Sequence, residues 1–239
     1  MLVLAFDTAG PDCAVALVRS TAGEMDVLAR ASERLGRGQA ERLLPMIGEA
    51  LGEAGLSYDD LDRIAVTTGP GSFTGVRVGV AAARALALAL DVPAVGVGTL
   101  EALASPATRA RHDGTIVAVL DARRGEIYAL AQDLASRSVL VSPVAAPPEA
   151  IAARLSGAAR PLILTGAGAP LLHAALGEAE VEIAGLPECP DIADVARLGI
   201  RPDPGTPPLP VYARGADAKP QAGMAVARRQ GAPVQELVP

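Results

Sequence analysis

The stretch RIAVTTGPGSFTGVRVGVAAARALALALDVPAVGVG, residues 63–98, decides the fold. Residues 63–68 are rich in β-branched side chains and predict a strand. A Gly-Pro-Gly turn breaks this strand, and Ser72 is placed to cap a helix that spans residues 73–90 without a proline. Residues 94–97 then predict a second short strand, parallel to the first. The stretch therefore predicts a strand–turn–helix–strand unit of an α/β protein.

A ridge of small residues marks one face of this helix. Its members lie four positions apart, so they stack on one side of the helix. Glycine inside a helix costs about 1 kcal/mol relative to alanine, so its use indicates close approach of another backbone. That backbone belongs either to the chain's own sheet or to a helix of another subunit, and the spacing leaves both open. The ridge consists of Gly75, Gly79, Ala83 and Ala87.

The composition indicates a cytoplasmic protein. The chain has 239 residues, of which half are hydrophobic, yet no apolar run reaches the roughly 18 residues of a membrane span. The first residues lack the basic segment of a secretory signal, and two cysteines predict no disulfide framework. A net charge of −6 and few aromatic residues oppose nucleic-acid binding by the chain alone. We therefore expect no membrane association.

The two halves of the chain repeat one pattern. Residues 2–6 form an apolar strand that ends at Asp7, and residues 116–120 form another that ends at Asp121. In each half a turn and a second strand follow, and then a third strand and two helices separated by a strand. Two β-β-β-α-β-α units predict a duplicated α/β fold. The predicted parts are an N-terminal domain (1–105), a C-terminal domain (106–214) and a loose tail (215–239).

The aspartates at the two strand ends suggest a phosphate site. Two carboxylates that face one cleft can hold a hydrated divalent ion, while turn amides such as that of Thr8 contact phosphate oxygens. Gly166 and Gly168 precede a helix and could lie against a nucleotide. Aspartate is also a common turn residue at the end of a strand, so a purely structural role for Asp7 and Asp121 is the alternative.

Metal-dependent and nucleophilic chemistry find little support in the sequence. His112 and His173 are far apart and belong to no metal-ligand motif. Cys13 and Ser72 have no sequence neighbour that would activate them. We therefore predict neither a metal site nor a catalytic residue.

Several motifs resemble the bacterial TsaB (YeaZ) family. They run from residue 2 to about residue 214, and the GPGSFTGVR block is highly specific. The matching runs are LAFDTAGPDCAVAL, QAERLLPMI, GPGSFTGVRVGVAAARALALALDVPAVGVGTLEAL, LDARRGEIY and LPVYAR.

The resemblance implies a fold and a function. The fold is that of the actin, sugar-kinase and Hsp70 superfamily (ribonuclease H-like), with two β-β-β-α-β-α domains. Members act with a catalytic subunit, TsaD, and an ATPase, TsaE, which add threonylcarbamoyl to the adenosine next to the anticodon of tRNAs that read codons beginning with A. TsaB is the non-catalytic partner in this scheme. The resemblance therefore implies that tRNA and ATP or ADP are met mainly through the complex.

The resemblance also implies an interface. Helices of the N-terminal domain pair with TsaD, and in isolation the same surface forms a homodimer. Relatives often carry histidine just before the first helix, where this chain has Arg37-Gly38-Gln39, which puts the role of that position in doubt. The expected interface residues are Leu43, Ile47, Gly48, Phe73, Gly75, Val76, Gly79, Val80, Ala83 and Ala87.

Two enzyme hypotheses compete with this interpretation. One is a small-molecule kinase or ATPase of the same superfamily that uses Asp7 and Asp121. The other, a glycoprotease-type peptidase, lacks both a zinc-ligand pattern and an evident triad.

Overall fold

The computed structural model describes residues 1–21, 24–177, 180–200 and 207–213. In these residues the first half of the chain forms five strands and three helices, with a short 3-10 turn at Tyr58–Asp60. The first-half elements are β1 (Leu2–Asp7), β2 (Asp12–Thr21), β3 (Glu24–Arg34), α1 (Gln39–Ala54), β4 (Arg63–Thr67), α2 (Phe73–Leu90), β5 (Ala94–Val97) and α3 (Thr99–Ala110). The second-half elements are β6 (Thr115–Arg123), β7 (Glu126–Asp133), β8 (Val139–Ala146), α4 (Pro148–Arg154), β9 (Leu162–Thr165), α5 (Ala169–Leu176), β10 (Val181–Gly185) and α6 (Ile192–Gly199).

The two sheets have the same topology. The first has the order β3-β2-β1-β4-β5, and the second, counted from its opposite edge, has the order β8-β7-β6-β9-β10. In each sheet the first three strands of the half pair antiparallel, whereas the later strands pair parallel. The predicted duplication is therefore confirmed, although each half also contains a fifth strand and a third helix. The sequence prediction omitted α3 and β10.

Helices cover both faces of each sheet. On one face of the first sheet, α1 and α2 pack over Leu4, Phe6 and Ile64, which are fully buried. On the equivalent face of the second sheet, α4 and α5 pack over Val117 and Leu164. Burial of these apolar side chains supplies the main stabilisation of both layers.

The remaining two helices are exchanged between the halves. Although α6 follows the second sheet in the chain, Ile192 and Val195 pack on the first sheet, on the face opposite α1 and α2. Conversely, α3 follows the first sheet, yet Leu100 and Leu103 pack on the second. The domain boundary predicted after residue 105 falls inside α3. The predicted tail, residues 215–239, lies outside the described residues.

A buried polar cluster joins the exchanged helices. Asp194 of α6 is almost completely buried and accepts hydrogen bonds from Ser105 and Arg109 of α3. Because a buried carboxylate is stable only when it is paired, this cluster favours one arrangement of α3 against α6. It thereby links the two sheets.

Candidate functional site: an exposed helix face and an interdomain cavity

The small-residue ridge of α2 faces the interior of its own chain. A Cβ atom on Gly75 would lie 1.9 Å from the backbone oxygen of Thr8, and one on Gly79 would lie 2.6 Å from Thr8 Oγ1. Ala83, one turn further along, is fully buried. The glycines therefore let α2 approach the turn between β1 and β2. In this structure Gly75, Gly79 and Ala83 therefore present no exposed surface to a second subunit.

The other expected interface residues divide by burial. Gly48 and Phe73 are exposed, and Ala87 is half-buried. The remaining four are buried under α1 and α2, where no partner can reach them; they are Leu43, Ile47, Val76 and Val80.

The opposite face of α2 is exposed and rich in apolar side chains, with Arg77 and Arg84 among them. Leu88 is 87% exposed and Phe73 is 57% exposed, although both are large hydrophobic residues. Ala81 and Ala85 lie between them and are also exposed. A helix that buries one face against a sheet normally presents polar residues on the other, so this face has the composition of a contact surface. The sequence signal for this face is the helical spacing of residues 73, 77, 81, 85 and 88, four of which are apolar.

Helix α1 extends this apolar face. Leu44 is 51% exposed, and a Cβ atom on Gly48 or Gly52 would meet no atom within 4 Å. The helix begins after Gly38, which has a positive φ of 89°, and its first residue, Gln39, is buried. Together, the exposed residues of α1 and α2 form one surface, called here the outer face; its members are Leu44, Gly48, Gly52, Phe73, Ala81, Ala85 and Leu88.

An ion-pair network holds α1 in place. Arg42 donates hydrogen bonds of 2.8 Å to Glu33 of β3 and to Glu49 of its own helix. These bonds lower the pKa values of both carboxyls. The network therefore ties α1 to the edge strand β3.

Helix α2 has the length and apolar composition of a membrane-spanning segment, and it is the one such helix in the described part of the chain. Its inward face nevertheless packs on the first sheet, and Ser72 Oγ caps its N-terminus by accepting a hydrogen bond from the amide of Gly75. These contacts are those of a helix packed on a globular core.

Thr8 and one oxygen of the Asp7 carboxyl are engaged in internal hydrogen bonds, whereas Asp7 Oδ2 is buried without a hydrogen-bond partner. One carboxyl oxygen of Asp7 accepts from Thr67 Oγ1 and from the amide of Ala9, and Thr8 Oγ1 donates to the carbonyl of Gly75 at 2.7 Å. Burial raises the pKa of Asp7 above its ordinary value, against the opposing effect of these hydrogen bonds. Both side chains are closed off from solvent, so neither contacts a ligand in this arrangement.

A cavity of about 670 Å³ lies between the two halves of the chain. Gly10 and Ser72 line it from the first half, and Asp121 and Arg123 line it from the second. The Asp121 carboxylate accepts a hydrogen bond from the amide of Arg123 at 2.7 Å and pairs with its guanidinium. Of the two predicted strand-end aspartates, the structure thus places Asp121 at the cavity and Asp7 behind its wall.

Gly166 and Gly168 have a packing role. A Cβ atom on Gly166 would lie 2.2 Å from the carbonyl oxygen of Val119, and one on Gly168 would lie 2.7 Å from the backbone of Leu120. Glycine is therefore required for the start of α5 to approach β6. This requirement accounts for both residues without a nucleotide.

Neither cysteine has the properties of a nucleophile. Burial raises the pKa of Cys13 to about 11 and that of Cys189 to about 12. Both thiols are therefore protonated at neutral pH, and the thiolate is the reactive species. Within the described ranges, no three His, Cys, Asp or Glu side chains are grouped as metal ligands.

Sequence comparisons connect the chain to known proteins. Residues 33–152 match the TsaD family model, described as tRNA N6-adenosine threonylcarbamoyltransferase. The chain is 39% identical over 128 residues to the tRNA threonylcarbamoyladenosine biosynthesis protein TsaB of Escherichia coli (strain K12), covering 54% of this chain and 53% of that protein. It is 40% identical over 129 residues to TsaB of Bacillus subtilis (strain 168), covering 54% and 53%. The aligned part of the chain thus spans about half the length of these curated relatives.

Solved structures extend the similarity over nearly the whole chain. A Pseudomonas aeruginosa protein, described as uncharacterized with similarity to peptidase YEAZ, has 32% sequence identity and a TM-score of 0.73, covering 89% of this chain and 99% of that one. YeaZ from the same organism has 30% identity and a TM-score of 0.71, covering 88% and 99%. These matches confirm the expected actin-like, ribonuclease H-like fold. The chain belongs to the TsaB (YeaZ) family.

Proposed function

We propose that this chain is a non-catalytic subunit in the biosynthesis of threonylcarbamoyladenosine in tRNA. It binds a TsaD-type catalytic subunit through the outer face, and it meets a TsaE-type ATPase and tRNA through that complex. In the absence of the catalytic subunit, the same face pairs two copies of the chain. The observation that carries the proposal is the exposed apolar surface of α1 and α2 in a member of the TsaB family.

The composition of the outer face supports helix–helix contact. The outer face contains the small residues Ala81, Ala85 and Gly48. Because these residues do not protrude from their helices, helices of a partner can approach closely. Leu88 projects beyond these small residues and can fill a pocket on the partner, as apolar anchors do in protein interfaces. Two helices from each subunit then form a four-helix contact.

The inward ridge supports the same proposal indirectly. Because Gly75 and Gly79 seat α2 on the sheet, the helix presents its outer side without further rearrangement. A rigid surface of this kind loses little conformational entropy on binding, which favours affinity.

The test is a Leu88→Arg substitution, assayed by titration against the TsaD-type subunit of the same organism. Leu88 is 87% exposed, so the substitution leaves the fold intact, whereas a buried guanidinium at the interface has no partner. We expect affinity to fall at least about 30-fold, the loss expected for a hot-spot residue.

The matched control is Leu171→Arg, which changes an exposed leucine on α5 of the second half. We expect this variant to bind like the wild type. Equal affinity of the Leu88→Arg variant and the wild type would refute the surface. The function itself is tested separately, by reconstituting tRNA modification with and without this chain; modification that is independent of the chain would refute it.

A further inference from the structure

Residues 207–213, called here the clasp, cross from one half of the molecule to the other. At the first half, the amide of Val211 donates a hydrogen bond of 2.8 Å to the carbonyl of Thr68, just after β4. Pro208 is buried against Gly96 of β5, where a Cβ atom on the glycine would lie 3.3 Å from the proline ring. The clasp is thus fixed to the ends of two neighbouring strands of the first sheet.

Tyr212 anchors the clasp on α2. The Arg77 Nε atom donates a hydrogen bond of 2.8 Å to the Tyr212 hydroxyl. The guanidinium carbon of Arg77 lies 3.7 Å from the centre of the Phe73 ring, and the rings of Phe73 and Tyr212 are 5.4 Å apart. A cation over an aromatic ring is attractive by about 0.5–1 kcal/mol at an exposed site, so the three side chains support one another.

The residue after Tyr212 contacts the second half. The amide of Ala145, in the edge strand β8, donates a hydrogen bond of 3.1 Å to the carbonyl of Ala213. Two consecutive residues of the clasp therefore hold α2 of the first half and β8 of the second.

We propose that the clasp is a conformational lock that fixes the orientation of the two halves across the cavity. It acts on one side of the molecule, while the Asp194 cluster between α3 and α6 acts at another contact between the halves. Release of Tyr212 from Arg77 frees Ala213 from β8 and lets the second sheet move relative to the first. This lock operates whether or not the chain serves in tRNA modification.

The experiment measures amide hydrogen exchange in the full chain by NMR. In a Tyr212→Ala variant, the amide of Ala145 should exchange at least about tenfold faster, whereas Val117 in the centre of β6 should be unchanged. Tyr212→Phe keeps the ring and loses only the hydrogen bond to Arg77, so we expect about a fivefold effect. Leu209→Ala, a change in an exposed side chain of the same segment, is the matched control and should have no effect.

A double-mutant cycle tests the interaction of Tyr212 with Arg77 by changing both residues. If Arg77 acts through Tyr212, the Arg77→Ala/Tyr212→Ala pair accelerates Ala145 no more than Tyr212→Ala alone. Small-angle scattering of Tyr212→Ala should show a larger radius of gyration than that of the wild type. Unchanged exchange at Ala145, equal acceleration in the Leu209→Ala control, equal acceleration at Val117, or unchanged scattering would each overturn the lock.

Discussion

A Gly75→Ala substitution tests whether the glycines of α2 seat the helix on its own sheet. The new Cβ atom would lie 1.9 Å from the carbonyl oxygen of Thr8, whereas ordinary van der Waals contact begins at 3.4 Å. The helix and the β1–β2 turn must then separate by roughly 1.5 Å, the difference between these two distances. Two hydrogen bonds of 2.7 Å cross this contact, from Thr8 Oγ1 to the Gly75 carbonyl and from the Ser72 amide to the Ala9 carbonyl.

The expected loss of stability in Gly75→Ala follows from the close contact and the two hydrogen bonds. Overpacking of a close contact costs about 1–3 kcal/mol, and loss of the two hydrogen bonds adds about 1 kcal/mol each. Alanine recovers about 1 kcal/mol through its higher helix propensity. We therefore expect the free energy of unfolding to fall by about 3 kcal/mol. Gly48→Ala is the matched control: this glycine also lies inside a helix, but nothing surrounds its Cβ position, so the same change should stabilise the protein by about 0.5–1 kcal/mol.

The assay is chemical denaturation followed by circular dichroism, with the wild type and both variants measured in parallel. The two glycine-to-alanine changes should shift the transition midpoint in opposite directions. If Gly75→Ala and Gly48→Ala both stabilise the protein, the close approach of α2 to Thr8 is refuted. The same geometry predicts that Gly79→Leu also destabilises the protein, because a Cβ atom at this position would lie 2.6 Å from Thr8 Oγ1.

Two further predictions concern buried carboxyls. Because burial raises the pKa of Asp7, the native state retains a proton that the unfolded state loses above its ordinary pKa of 3.8. The stability contributed by this proton is therefore present at low pH and falls as the pH rises. The free energy of unfolding, measured from pH 4 to pH 8, should therefore decline less in Asp7→Asn than in the wild type. Asp194→Ala leaves Ser105 and Arg109 without their shared acceptor and should cost about 2 kcal/mol, whereas Arg197→Ala, whose side chain lies 3.7 Å from the same carboxylate at the surface, should cost less than about 0.5 kcal/mol in parallel denaturation. A pH dependence that is unchanged in Asp7→Asn, or equal costs for Asp194→Ala and Arg197→Ala, would contradict these assignments.

Local sequence signals predicted the elements of the fold well. The span of α2, its Ser72 cap and the strand β5 are confirmed at the predicted residues, because proline, glycine and capping residues act over a few positions. The duplication was also visible, since each half opens with a strand that ends in aspartate. By contrast, the sequence prediction omitted α3, which contains Pro106, and β10, which has no buried residue.

The packing partners of α3, α6 and α2 were harder to predict from the sequence. The exchange of α3 and α6 depends on which sheet each helix meets, and Val195 or Leu103 would suit either apolar surface. The ridge posed the same difficulty, because small residues predict close approach but do not identify the approaching group. Here the group is Thr8 of the same chain, so the interface that we propose uses the opposite side of α2.

Seating of α2 and closure of the β1–β2 turn are consequences of one contact. Gly71 and Gly75 bring α2 against the backbone of Ala9 and Thr8, and this contact turns Thr8 away from the cavity. A side chain at either glycine would open the turn toward the cavity and, at the same time, lift the outer face from the sheet. The chain therefore cannot expose the Asp7 turn to a ligand without disturbing the helix that carries Leu88. This coupling supports the proposal that the first half presents α2 to a partner.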